Sequence, residues 1–407
     1  MSTLIWVVSP SLCDPVPGNR PKVLMRLSIV TSAIVAALVG FGATLAIIVA
    51  AGQAVGADPL QTGSWVAALC LSMAATTGYL SVRYRQPIIT AWSTPGAALI
   101  AGTGGVYGMN DAVGAFLLAG ALILLTAAFR PLGRLVAGIP ERIAAAMLAG
   151  VLFDFAARVF EVLPQTPGLV LPLVIIFFLV RLFSPSAAVL TVLIGGVILS
   201  LGLGLNAPLP QDIALSRFVL VMPEFEMSTL IGLGLPLYLV TMASQNLPGF
   251  AVLRTAGYEP PVQPILAITG LASLLTAPFG AHTSNLAAIT AALCTGPDVH
   301  PDPAKRWMTG PFYALTYLVL AAFGASLVGL FAAMPSALIV TVGGLALLAP
   351  LMGALTAAMS GEGDRFSAVV TFVVTASGMS IFGIGSAFWG LLAGLAITAL
   401  IDLRAKT

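Results

Sequence analysis

The sequence predicts an all-α integral membrane protein of fourteen transmembrane spans, built as two inverted repeats of seven, with half-helices in spans 3 and 10. Three observations carry this expectation. The 407 residues are 59% hydrophobic and 8% charged, against about 25% charged in a soluble domain. Uncharged runs of about 20 residues or more recur along the chain, which is the length a bilayer crossing needs. Two of the apolar stretches are interrupted by polar residues at membrane depth, where such backbone is tolerated only inside protein or beside water.

The elements follow in order. Residues 1–26 hold Arg20, Lys22 and Arg26 among several prolines, and Leu4–Val8 is too short to cross, so this segment is read as a cytoplasmic tail. Span 1 covers Ser28–Ala54, span 2 Gln61–Ser81, and span 3 the interrupted Pro87–Gly102. Span 4 runs over Asp111–Phe129, span 5 over Pro140–Phe160, span 6 over Gly168–Phe183 and span 7 over Ser186–Leu205. The polar connector 206–227 carries Asp212, Arg217, Glu224 and Glu226. Span 8 is Ser228–Leu253, span 9 Pro264–Pro278, and span 10 the second interrupted stretch, Phe279–Cys294. The uncharged residues Trp307–Gly361 are enough for two helices, spans 11 and 12, divided at Met334-Pro335. Span 13 is Arg365–Ile384 and span 14 Ser386–Asp402.

The charges test this count. With both termini inside, all the Lys and Arg except Arg158 and Arg217 fall in the tails or in cytoplasmic loops, 15 of 17. The positive-inside bias favours that orientation, and a miscounted span would scramble it. Seven spans per half is odd, so the second half must be inverted. Gly138-Ile-Pro140 opens span 5 and Ala333-Met-Pro335 opens span 12, 195 residues later. The two interrupted spans hold the same third place in each half, as in transporters with inverted repeats.

The interrupted spans supply the candidate site. Spans 1, 3, 8 and 10 contain no Lys or Arg in their interiors, so an anion would have to be held by helix N-termini, whose free N–H groups carry about half a positive charge. Ser93, Thr94 and Pro95 suit the start of a half-helix in span 3, and Thr283, Ser284 and Asn285 suit the start of one in span 10. Trp92 lies at the first break, Phe41 sits between two glycines in span 1, and Tyr238 lies in span 8; an aromatic ligand would use such faces. Gln245 and Asn246 are amides in an uncharged span, suited to face a cavity. His282 is the one ionisable group in the 38 uncharged residues Pro260–Pro297, so it is the first candidate for proton coupling. A positive helix end disfavours its protonated ring and a bound carboxylate favours it. Asp154 is the second candidate, although Arg158, four residues on, offers it a partner.

Phe279-Gly-Ala-His-Thr-Ser-Asn-Leu-Ala-Ala-Ile-Thr-Ala-Ala-Leu-Cys294 resembles the signature of the bacterial benzoate membrane-transport family of benzoate:proton symporters, and Ser244-Gln-Asn-Leu-Pro-Gly249 fits it too. The resemblance spans residues 22–405. It implies a fold similar to nucleobase permeases and to sulfate and bicarbonate transporters. That fold has a core domain, here 27–135 and 228–333, and a gate domain, here 136–205 and 334–402. It also implies that spans 3 and 10 each begin as a short strand, with substrate between the two half-helix starts. Nucleobase permeases carry carboxylates where this chain resembles them at Ser244 or Gln245 and at Ser284; their loss favours an anionic cargo.

The expected function is import of benzoate, or a similar small aromatic carboxylate, with a proton across the bacterial inner membrane by alternating access. A nucleobase or inorganic-anion transporter of the same fold and an uncoupled anion channel are the alternatives. No nucleophile–base pair, metal-ligand cluster or HExxH is present, so an enzyme is not expected, and neither is a metal or other cofactor. Cys13, Cys70 and Cys294 give no disulfide framework. The scattered Lys and Arg give no nucleic-acid surface. The expected partners are the aromatic carboxylate, the proton and the lipid bilayer; a homodimer is one assembly open to such a chain.

Overall fold

The computed structural model describes residues 22–129, 140–183, 185–208, 214–287, 289–360, 365–382 and 384–406. The N-terminal tail up to residue 21, most of the basic loop before Arg142, Gly138, and Asp212 of the connector lie outside the described residues.

Apolar helices dominate. In chain order they are α1 (Lys22–Ala54), α2 (Pro59–Tyr84), α3 (Thr94–Ala101), α4 (Met109–Ala128), α5 (Glu141–Val162), α6 (Pro167–Phe183) and α7 (Pro185–Gly202). Then come α8 (Met227–Thr255), α9 (Val262–Thr276), α10 (Ile289–Thr295), α11 (Thr309–Ala332), α12 (Ser336–Met359), α13 (Arg365–Ala376) and α14 (Ser386–Lys406). Eight of them are long and apolar enough to cross a membrane; α6, α7, α13 and α14 carry shorter apolar stretches. The outward faces are apolar, with Leu182, Phe183, Leu275 and Leu315 exposed. Water would penalise that surface, whereas a bilayer would not.

Local chemistry explains the ends. Asp58 caps α2 in a reciprocal box with Gln61, 2.7 and 3.0 Å. The break between α11 and α12 falls at Met334-Pro335, because proline lacks the N–H that would continue the helix. Span 13 is shorter than the sequence suggests. Its helix stops at Ala376, where Gly378 takes φ 64°, and the chain turns through a hairpin, β3 (Ser380–Ile381) against β4 (Ile384–Gly385).

Packing gathers the helices into two groups. α2 lies along α11, α9 along α4, and α1 runs between α3, α10 and α11. Separately, α5 lies along α12 and α13, α13 along α14, and α6 along α7. The groups meet where α1 touches α12 and where α5 touches α3 and α8. Helix α8 is irregular. Two π turns, Leu230–Gly234 and Met242–Asn246, interrupt it, and such insertions often mark functional sites.

Candidate functional site

The two interrupted stretches meet. β1 (Thr90–Trp92) pairs antiparallel with β2 (Ser284–Leu286) in the register Thr90↔Leu286, Ala91↔Asn285 and Trp92↔Ser284. β1 leads into α3 and β2 towards α10, so the two short helices leave the ladder in opposite directions. Three pairs span about 7 Å, so both helix starts lie close to one small region.

This pairing corrects one local expectation. Thr283, Ser284 and Asn285 are not at a helix start; Ser284 and Asn285 are in strand β2, and α10 begins only at Ile289. Their backbone groups are used elsewhere, Thr283 O by Ser93 N–H and Ser284 N–H by Ser273 Oγ, which outweighs their capping preference. Span 3 follows the expectation. Ser93 is the N-cap of α3, Thr94 and Pro95 are its first residues, and Ser93 Oγ accepts from Gly96 N–H at 3.0 Å. Pro95 has no N–H and Gly96 is already capped. This end of α3 therefore presents Thr94 N–H without a partner among the described residues, fewer donors than a helix start can offer.

Side chains from three helices, α2, α8 and α9, hold the ladder in place. His282, fully buried, receives the indole N–H of Trp65 on Nδ1 at 3.1 Å, and its Nε2 lies 3.0 Å from Ser93 O. The indole only donates and the carbonyl only accepts, so the ring is the neutral tautomer with hydrogen on Nε2. A second proton on Nδ1 would face the Trp65 N–H. His282 thereby ties the lead-in of β2 to the cap of α3. Thr90 shares hydrogen bonds with Thr76 and Thr77 of α2 at 2.7 and 2.6 Å, and Ser284 Oγ lies 2.6 Å from Ser72 Oγ. Ser273 of α9 accepts from Ser284 N–H at 2.9 Å, and Thr283 meets Thr241 of α8 at 2.9 Å.

The amides sit on the side facing α8. Asn246, in the second π turn, accepts from Leu286 N–H through Oδ1 at 3.0 Å. Asn285 donates through Nδ2 to Leu286 O at 2.9 Å, and its Oδ1 is buried with no partner. Gln245 is half-buried beside them. The aromatic groups divide. Phe41 and Trp92 lie 5.8 Å apart, Trp92 donates to Thr44 at 2.8 Å, and Tyr317 stands edge-on to Trp92 at 6.1 Å. Tyr238 instead shares a hydrogen bond through its hydroxyl with Thr126 of α4. Asp154 is paired with Arg158 at 2.9 Å, both side chains about two-fifths exposed on α5. The sequence reading missed Trp65, Ser72, Thr76, Thr77, Ser273 and Thr241. Their signal was present as hydroxyls and an indole in uncharged helices, where buried polar groups need partners.

At the far end of α10, Arg306 is buried and donates to the carbonyls of Thr295, His300 and Pro301 at 2.8, 2.7 and 3.4 Å. A cation at a helix C-terminus is favourable. Arg306→Ala is expected to lower stability by about 3 kcal/mol by stranding those carbonyls. A thermal melt of the detergent-solubilised protein checks this, and an unchanged melting point would contradict the capping role.

The model of the benzoate membrane transport protein family (BenE) matches residues 24–400. The chain belongs to the benzoate membrane transport protein family. It is 39% identical over 374 residues to the Escherichia coli inner membrane protein YdcO, covering 91% of this chain and 95% of that one. It is 36% identical over 369 residues to the Acinetobacter baylyi benzoate membrane transport protein, covering 91% and 94%. Among solved structures, the fold is similar to the transmembrane domain of the cyanobacterial bicarbonate transporter BicA, with TM-score 0.62, 14% identity, and 91% and 97% of the two chains covered. It is also similar to SLC26A9, with TM-score 0.64, 14% identity, and 92% and 66% covered. A member of this family is a membrane transporter and not an enzyme. Among the described residues, no group of three His, Cys, Asp or Glu could hold a metal ion.

Proposed function

We propose that the chain imports benzoate, or a similar small aromatic carboxylate, together with a proton across the bacterial inner membrane. The observation that carries this is the meeting of the two broken spans on one buried ladder. No Lys, Arg, Asp or Glu lies in β1, β2, α3 or α10, amides lie on one side, and Trp92 and Phe41 lie close by. An aromatic acid needs an apolar face for its ring and hydrogen-bonding groups for its carboxyl. The names of the family and of the Acinetobacter relative support that substrate class.

Substrate-facing roles are assigned to Phe41, Trp92, Ser93, Thr94, Gln245, Asn246 and Asn285, with Thr283 and Ser284 holding the ladder. Tyr238 is assigned to packing against α4. The geometry of His282 supports a fixed neutral pin more than a proton carrier, and the Asp154–Arg158 pair supports a structural ion pair. The fourteen helices are assigned as fourteen spans in two inverted repeats, with both termini cytoplasmic. The group around α2 and α11 is the core, and the group around α5 and α12 is the gate. The two would rock against each other to expose the ladder alternately to each side.

The test is uptake of labelled benzoate into proteoliposomes with an alkaline interior. Accumulation above that of protein-free vesicles is expected, and it should collapse when the pH gradient is dissipated. Saturable uptake that ignores the gradient would remove the proton. Competition by sulfate or uracil, without competition by other aromatic acids, would overturn the substrate class.

A further inference from the structure

Asn285 holds an acceptor that no described residue satisfies. The side chain is fully buried, and its Nδ2 donates to Leu286 O at 2.9 Å. That carbonyl can only accept, so the atom facing it must be the amide nitrogen, and the amide orientation is fixed. Oδ1 is therefore the buried atom without a partner. An orphaned buried acceptor is costly, and a native structure that keeps one usually reserves it for a ligand or water. Gln245 precedes Asn246, whose Oδ1 holds the N–H of the same Leu286, and the Gln245 amide makes no hydrogen bond to another described residue. β2 thus offers a free acceptor at Asn285, and α8 carries an amide without a hydrogen-bond partner among the described residues at Gln245, next to the residue that binds β2.

A carboxylate fits this acceptor poorly. It has no proton to give, so Oδ1 would stay orphaned and would repel it. The groups around it offer no compensating cation. β1, the second π turn and α9, which pack on β2, contain no Asp, Glu, Lys, Arg or His. α2 carries Cys70 in its middle, Tyr79 two residues before Ser81, and Arg83 and Tyr84 at its end beyond Ser81. His282, just before β2, already has both nitrogens bonded. On α5, which packs on the π turn, Asp154 and Arg158 neutralise each other. A buried carboxylate without a paired cation is disfavoured. A carboxylic acid fits the orphaned acceptor, since its O–H donates.

We propose that the aromatic acid is bound and carried in its protonated form, its carboxyl O–H donated to Oδ1 of Asn285, so that the coupled proton travels on the substrate and on no side chain. This rests on the transporter reading given above. The balance is simple. The carboxylate takes one proton from water on the entry side, crosses as the neutral acid and returns the proton to water on the exit side. No bond to the protein forms or breaks, and no net charge moves. Protonation of a carboxyl at neutral pH is unfavourable by roughly a thousandfold, so affinity for total benzoate rises as pH falls.

The experiment is displacement of labelled benzoate from the purified full-length protein by two neutral or anionic mimics. Benzamide is uncharged and donates an N–H where the acid donates O–H. Benzenesulfonate is a permanent anion that cannot donate. Displacement by benzamide and none by benzenesulfonate is expected. Displacement by benzenesulfonate and none by benzamide overturns this inference and leaves the transporter reading intact. Absence of any saturable benzoate binding overturns the substrate reading, and this inference with it. Asn285→Ala is expected to weaken benzoate about tenfold and to abolish displacement by benzamide. Undiminished benzamide displacement in a variant that still binds benzoate would remove Asn285 from the role. The wild-type comparison decides the matter even if that variant does not fold.

Discussion

Replacing His282 by alanine is expected to cut benzoate uptake about 100-fold with the protein still inserted, whereas replacing it by glutamine should restore most of the uptake. The alanine removes both hydrogen bonds that join Trp65 to the ring and the ring to Ser93 O. Ser93 is the cap of α3, so the start of one half-helix loses its side-chain tie to the lead-in of the other and keeps only the backbone bond from Ser93 N–H to Thr283 O at 3.2 Å. Displacing a binding group by about 1 Å can cost 100-fold. Glutamine carries one donor nitrogen and one acceptor oxygen about as far apart as the two ring nitrogens, and can reach Ser93 O and the Trp65 N–H together. It cannot titrate. The pair of variants therefore separates a pin from a proton carrier. Measured uptake under a pH gradient, with a thermal melt to show that each variant is folded, is the readout. A folded glutamine variant as inactive as the alanine one would sink the pin and return His282 to proton transfer.

The sequence made the helices legible because bilayer-length apolar runs depend on composition alone. The α11–α12 break at Met334-Pro335 and the cap at Ser93 were visible for the same reason: each depends on residues adjacent in the chain. The strand at Ser284–Leu286 was not visible in those residues themselves, since Thr-Ser-Asn reads as a helix cap until β1 supplies a partner from nearly 200 residues away. Family resemblance, not local pattern, pointed to strands there. Trp65 was passed over because a tryptophan in an apolar helix reads as packing; only the position of His282 gives its N–H a purpose. The partner of the Tyr238 hydroxyl was equally out of sight, because Thr126 lies 112 residues away in the chain and only the fold brings it to the buried phenol. The orphaned Oδ1 of Asn285 was invisible in the sequence because an unmade hydrogen bond exists only in three dimensions.

The second large effect is expected at Gly249. A methyl on this residue of α8 would lie 2.5 Å from Leu286 Cβ and 3.1 Å from Ala287 O. Neither atom can swing aside. Leu286 is paired with Thr90, its N–H is held by Asn246, and its carbonyl by Asn285. Gly249→Ala must therefore push α8 away from β2, and overpacking of this kind costs about 2 kcal/mol. The larger consequence is functional. The displaced helix carries Gln245 and Asn246, so the β2–α8 seam proposed to receive the carboxyl opens and uptake should fall about 100-fold. Gly353 in α12 supplies the control, because a methyl there meets nothing within 4 Å. Gly353→Ala should leave uptake intact and stability within about 1 kcal/mol of the parent, since alanine is the better helix former. Parallel uptake and melting measurements on the two variants decide the point. Equal behaviour would mean that general glycine content, and not the contact between α8 and β2, governs transport. Loss at Gly249 alone places the close approach of that helix to the strand among the requirements for moving substrate.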